Sequence, residues 1–245
     1  MSDKERTKLE AFADGQNMQK RQSPRQKKSK TTESVQKKKK TKQPSPTIVL
    51  QEFTDKVEED HNIIFKPNVG PQTDFLAASE REVLYGGSAG GGKSYAMLAD
   101  PLRFMDVPAF AGVLLRHTTE ELRELITKSQ EMYPKIWPGI KWSERKMTWT
   151  APSGATLWLS YLDKDQDVTR YQGLAFSWIG FDELTQWATP FAWNYMRSRL
   201  RTADPSLPLS MRATTNPGGR GHHWVKKMFI DPAPAGKSFV ATDID

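Results

Sequence analysis

Gly87, Gly92, Lys93 and Ser94 satisfy the spacing G-x-x-x-x-G-K-[ST] inside the stretch YGGSAGGGKSYAML. That spacing has a mechanical meaning. Glycines let successive backbone N–H groups turn inward around phosphate oxygens, and a helix that starts there adds the positive end of its dipole. The lysine reaches the β- and γ-phosphates, and the serine hydroxyl is a hard oxygen ligand for Mg²⁺. Ser88, Ala89, Gly90 and Gly91 complete the loop and Tyr95 follows it, so residues 87–95 together are expected to contact a nucleotide. The competing reading is a plain flexible glycine loop, but a chance match in a chain of this glycine content is on the order of one in a hundred.

Two further groups belong to the same chemistry. WIGFDE is an apolar run ending in Asp182 and Glu183. One carboxylate suits the Mg²⁺ shell, and its neighbour suits polarising a water for attack on the γ-phosphate. ATTNPGG places Thr214, Thr215 and Asn216 at the end of another expected strand, where polar side chains can sense the γ-phosphate or its water. Taken alone, the first pair also fits a solvated helix start and the second group a plain Asn-Pro turn.

These residues must be positioned by a sheet and its helices. REVLYGG and FAGVLLR are compact apolar runs suited to buried parallel strands. Thr118 and Glu121 form an expected capping box, followed by Leu122, Leu125, Ile126 and Met132 at helical spacing. KMTWTAPSGATLWLSYL reads as a hairpin around Pro-Ser-Gly inserted before the next central strand. FSWIGFDE supplies that strand, FAWNYMRSRL a helix and LSMRATTNP another strand. SYAMLADPLRFM is expected to be the helix after the glycine loop. The alternation predicts an α/β P-loop NTPase fold, with a mainly parallel central sheet flanked by helices and an inserted β-hairpin.

Composition narrows the rest. The chain has 245 residues and no cysteine, which excludes disulfides and thiolate zinc sites. Four histidines, two of them the adjacent His222 and His223, lack the spacing of a metal centre. No apolar run approaches the roughly 18 residues of a membrane span and the N-terminus is not signal-like, so a soluble intracellular protein is expected. Residues 1–46 carry 14 Lys or Arg against five Asp or Glu, leaving 22 against 24 for the remainder. This lysine-, glutamine- and serine-rich segment lacks the apolar side chains that would offset the entropy of ordering, so it is read as a disordered basic arm preceding an ATPase domain over 47–245. The arm suits DNA phosphates or an acidic partner, or serves as a solubilising leader.

The ordered set of motifs over residues 60–240 resembles the large terminase subunit of tailed bacteriophages, the ATPase that drives DNA into a preformed capsid. PQTDFL is similar to that family's adenine-contacting segment, which implies Gln72 near the base. YGGSAGGGKS resembles its Walker A motif, LLRHTTEELRE the strand and helix that follow, TRYQGLAFSWIGFDE the approach to Walker B, and TTNPGG its coupling motif. The resemblance implies an ASCE or RecA-like core using ATP and Mg²⁺. Lys93, Ser94, Asp182 and Glu183 would handle them, with Thr215 and Asn216 coupling hydrolysis to movement. It also implies a homo-oligomeric ring around double-stranded DNA, portal protein and small terminase subunit as partners, no membrane, and work in the infected host's cytoplasm at the procapsid portal.

Some members carry an arginine within the glycine loop. Here Ser88 to Gly92 offer none, so the transition-state cation must come from elsewhere. Related terminases resemble this sequence at Arg170 and offer that arginine across a subunit interface, which makes Arg170 the first candidate and Arg116 the second. Large terminases generally continue into a nuclease domain. Asp243 and Asp245 cannot make a two-metal site alone, so no nuclease is expected from this chain, as for a shortened chain or one part of a split gene. Two other classes share these motifs: a helicase-like or remodelling ATPase, and a non-hydrolysing nucleotide-bound scaffold.

Overall fold

The computed structural model describes residues 8–12 and 63–241. Residues 8–12 and 64–241 belong to one compact unit; a second unit, residues 15–63, falls outside the described residues except for Ile63. Among the described residues the strands are β1 (Lys8–Phe12), β2 (Glu82–Gly86), β3 (Ala111–Arg116), β4 (Lys141–Ser143), β5 (Thr148–Thr150), β6 (Thr156–Tyr161), β7 (Trp178–Phe181), β8 (Ser210–Thr215) and β9 (Phe239–Val240). They form one sheet in the order β4-β5-β6-β3-β7-β8-β2-β1-β9. From β6 to β1 every pairing is parallel.

The continuous apolar runs have a simple cause: the central strands are buried on both faces. Val83, Tyr85, Leu114 and Trp178 belong to one core. Their alternating neighbours Leu84, Val113, Leu115, Ile179 and Phe181 belong to the other. The helix Thr119–Ile136 buries Leu122, Leu125 and Met132 in the first core, as its spacing predicts. Gly180 in β7 serves the helix after the glycine loop, because a Cβ there would meet Met97 Cε at 2.8 Å and Leu114 Cδ1 at 2.8 Å. Without a side chain at 180, Met97 settles against the strand that leads to Asp182.

Topology gathers the candidate residues. The glycine-loop strand β2 and the carboxylate-bearing β7 are not neighbours; β8 lies between them, parallel to both. Gly86 pairs with Thr215 and Phe181 with Ala213, so the glycine loop, Asp182–Glu183 and Thr214–Asn216 all leave the same edge of the sheet.

Two expectations need correction, one on the arm and one on the helix after the glycine loop. The arm read as disordered contributes β1, parallel to β2 and antiparallel to β9; edge groups of β2 make backbone pairs there that a reading based on apolar side chains does not register. The rest of that arm lies outside the described residues. The hairpin lies where it was expected, with β5 and β6 antiparallel around residues 152–154, and β6 also pairs along β3 and so joins the hairpin to the main sheet. The helix after the glycine loop is Lys93–Ala99 only, and the chain tightens to a 3₁₀ turn over Asp100–Phe104 because Pro101 has no N–H to continue the ladder.

Asp100, at that break, anchors a buried polar network. Its carboxylate accepts from Trp178 Nε1 at 2.7 Å, lies 3.3 Å from Arg212 Nε and pairs with Arg103. Arg212 in β8 also donates to the carbonyls of Glu80 and Ala78. Removing one partner strands the other charge in the interior, so Asp100→Ala is expected to destabilise the fold by about 3–5 kcal/mol. Urea unfolding would measure this; a midpoint equal to the parent's would refute it.

Candidate active site

The glycine loop turns into its helix through Gly92, whose φ of 74° is left-handed, and through Gly90 at 85°. Lys93 folds back along the loop, its Nζ donating to the carbonyls of Gly87 at 3.0 Å and Ser88 at 2.5 Å. The loop is braced from beneath by Tyr85, whose hydroxyl donates to Gly91 O at 2.7 Å. Gln72 braces it from the side: Nε2 donates to Gly92 O at 2.8 Å and Oε1 accepts from Asn68 N at 2.6 Å. A Cβ at Gly92 would fall 2.6 Å from Gln72 Nε2. In this structure Gln72 is therefore a buried strut of the loop, its amide committed at both ends.

Ser94 and Asp182, 88 residues apart, meet at this point. Ser94 Oγ donates to Asp182 Oδ2 at 3.3 Å, and the other carboxylate oxygen accepts from Thr214. Burial pushes the Asp182 carboxyl upward, opposed by the Arg116 guanidinium and by the Thr214 and Ser94 hydroxyls. A hydroxyl beside a carboxylate is a donor set of hard oxygens, suited to Mg²⁺ shared with substrate phosphates. Among the described residues there is no cluster of three or more His, Cys, Asp or Glu that could hold a metal ion.

Glu183 follows β7 with φ 61°, a left-handed conformation rare for a side chain larger than glycine or asparagine. Its backbone N–H donates to Thr214 Oγ1 at 3.1 Å. The carboxylate is clamped from both sides. Asn216 Nδ2 donates to Oε1 at 3.3 Å, while Gln186 Nε2 at 2.9 Å and Arg116 Nη1 at 3.4 Å reach Oε2. Thr215 does not face Glu183: its hydroxyl bonds Thr185 Oγ1 at 2.8 Å and so ties β8 to the turn after Glu183. Gly221 N donates to Thr185 O at 2.7 Å and Trp224 Nε1 to Trp187 O at 2.9 Å, which strap the residues after Asn216 to that same turn.

The two arginine candidates are separated by the fold. Arg116 ends β3, is buried, and lies with Nε 2.9 Å from Asp182 Oδ2. Arg170 sits on the 3₁₀ turn Asp165–Tyr171, with its side chain 46% exposed. It donates to Tyr161 O at 2.8 Å and stacks over the Tyr161 ring.

A cavity of about 300 Å³ is walled by residues 89–95, Arg116, Glu183 and Asn216, together with Glu124 and Lys128. Lys128 pairs with Glu124 at 2.5 Å and rests over the exposed ring of Tyr95. Glu124, Lys128 and Gln186 escaped the sequence reading, and Glu121 entered it only as a capping residue. The capping box contained a partial signal: Thr118 does accept from Glu121 N, but the Glu121 carboxylate turns to Gln186 and Arg116 instead of closing the box. Among the described residues no helix is long and apolar enough to cross a membrane.

No curated protein sequence matches the chain. The large terminase of a thermophilic bacteriophage superposes with TM-score 0.53 and 21% identity over 68% of this chain and 43% of its own. The large terminase of bacteriophage HK97 does so with TM-score 0.50 and 13% identity over 65% and 36%. Both likenesses establish the P-loop α/β fold, and the chain spans less than half the length of either protein. The sequence profile "Terminase large subunit, T4likevirus-type, N-terminal" matches residues 84–243, well over half of the chain, from the glycine-loop strand past the polar end of β8. The chain thus belongs to the T4likevirus-type large terminase subunit family and carries its N-terminal part.

Proposed function

We propose that this chain is the ATP-hydrolysing motor part of a terminase, moving double-stranded viral DNA into a procapsid. The observation that carries the reading is the meeting of Ser94 with Asp182, and of Glu183 with Asn216, around one glycine loop. Lys93 leaves the carbonyls of Gly87 and Ser88 for the β- and γ-phosphates, which offer it a stronger, charge-assisted partner. Backbone amides of residues 88–94 take the remaining phosphate oxygens. Ser94 and Asp182 would hold Mg²⁺, which when bound neutralises charge on the β- and γ-oxygens. Glu183 orients the attacking water and draws off its proton. Asn216, bonded to Glu183, passes the change through Thr215 and Thr185 to the strapped residues 218–224. Gln72 acts beside the nucleotide by holding Gly92.

On the same reading Arg170 completes a neighbour's site in a homo-oligomeric ring, since its exposed guanidinium lies outside the cavity of its own chain. Arg116 stays in its own site and fixes the two carboxylates. Portal protein and small terminase subunit are the expected partners, in the cytoplasm of an infected host. Phosphate release measured with and without duplex DNA tests the whole proposal: duplex stimulation supports a packaging motor, stimulation by single strands alone would assign a helicase-like enzyme, and no hydrolysis at all a scaffold.

The basic arm enters here. Residues 15–46 hold 11 Lys or Arg against a single Glu. Their deletion, which spares β1, is expected to leave the unfolding midpoint intact and to flatten the fall of duplex affinity with salt. An unchanged slope would remove DNA from the arm's partners.

A further inference from the structure

A second cavity, of about 460 Å³, adjoins the first. It shares Glu183 and Asn216 with the smaller cavity but none of the glycine-loop residues. These two side chains are hydrogen-bonded to each other, so together they form the wall between the two spaces. Asn216 Oδ1 is buried and has no hydrogen-bond partner among the described residues. The rest of the larger cavity includes three groups that suit an oxyanion, the Thr118 hydroxyl, His117 and Arg220, beside Thr185, Gln186 and residues 217–219. Arg220 is exposed and has no ion-pair partner among the described residues.

We propose that this cavity is the binding and exit site for inorganic phosphate, gated by Glu183 and Asn216. The inference rests on the hydrolytic reading above and deepens it. In-line displacement places the attacking water opposite the leaving β–γ bridging oxygen. Water and the freed phosphate therefore belong on the Glu183 side, while ADP still fills the glycine-loop side. Hydrolysis leaves a phosphate bearing at least one P–OH. The unpartnered Asn216 Oδ1 can accept that hydrogen, and Arg220 can take two oxygens with its planar fork. Opening the Glu183–Asn216 bond would both remove the repelling carboxylate and join the two spaces. Asn216 begins the segment strapped to the turn after Glu183, so phosphate departure would be felt directly by residues 218–224.

Equilibrium binding of inorganic phosphate to the full chain, by titration calorimetry, separates this site from the glycine loop without relying on turnover. The parent is expected to bind phosphate with ADP present. Lys93→Ala should retain phosphate binding, Arg220→Ala should weaken it about tenfold, and Arg220→Lys should recover part of the loss. Loss of binding in Lys93→Ala would place the phosphate in the glycine loop. Parent-like binding in Arg220→Ala, or no binding by the parent, would equally overturn the proposal. In single-turnover kinetics Arg220→Ala should cleave ATP at the parent rate and release phosphate more slowly; equal slowing of both steps would count against an exit site. A parent that binds phosphate but cleaves no ATP would sink the hydrolytic reading and the exit role with it, and leave only a phosphate-binding site.

Discussion

Glu183→Gln is expected to bind ATP as the parent does and to lose turnover by about 10²- to 10⁴-fold, the usual contribution of a positioned base. Lys93→Ala is expected to lose both binding and turnover. The difference follows from where the two side chains act. Lys93 lies along the loop that would hold the phosphates, whereas Glu183 stands across the cavity from it, held by Asn216, Gln186 and Arg116. Glutamine keeps the size of the side chain, but its NH₂ cannot accept from Gln186 and Arg116, and the amide has no basicity to take a proton from water. Equilibrium ATP binding and phosphate release, measured separately, check both variants. Hydrolysis at the parent rate by Glu183→Gln would remove it from the chemistry.

Arg170→Ala should leave ATP binding intact and cost about 10³- to 10⁵-fold in hydrolysis once subunits assemble, because a guanidinium inserted beside the γ-phosphoryl group offsets charge that develops only in the transition state. Its own-chain contacts, Tyr161 O and Asp167, lie on the exposed rim and are weak enough to exchange for a neighbour's phosphate. Mixed assemblies of Arg170→Ala with Lys93→Ala should regain activity that neither has alone, since one subunit keeps the glycine loop and the other lends the arginine. Arg116→Ala should fail without rescue by any partner: it is buried in its own site, and its loss removes the cation that pairs with both Asp182 and Glu183. Mixtures that stay inactive while Arg116→Ala reproduces the defect would transfer the role to Arg116.

Much of this protein is local information and was legible in the sequence. The pattern ending in Lys93–Ser94 points to a phosphate-cradling loop turned by its glycines, and the short apolar run into Asp182, set among other such runs, points to a strand buried on both faces. Thr118 begins its helix because its hydroxyl reaches an N–H three residues on. The alternation of such runs is enough for a parallel sheet, since parallel strands require crossovers. What the tertiary structure alone decided concerns pairings between segments far apart in the chain. β8 inserts between β2 and β7, and that order makes Ser94 a neighbour of Asp182 and Asn216 of Glu183. β1 joins the sheet through backbone hydrogen bonds, to which side-chain composition is nearly blind. The two arginines look alike as residues, yet one is buried among carboxylates and the other exposed on a turn. A charge acquires its chemistry from its neighbours and its access to water, and both are properties of the folded chain.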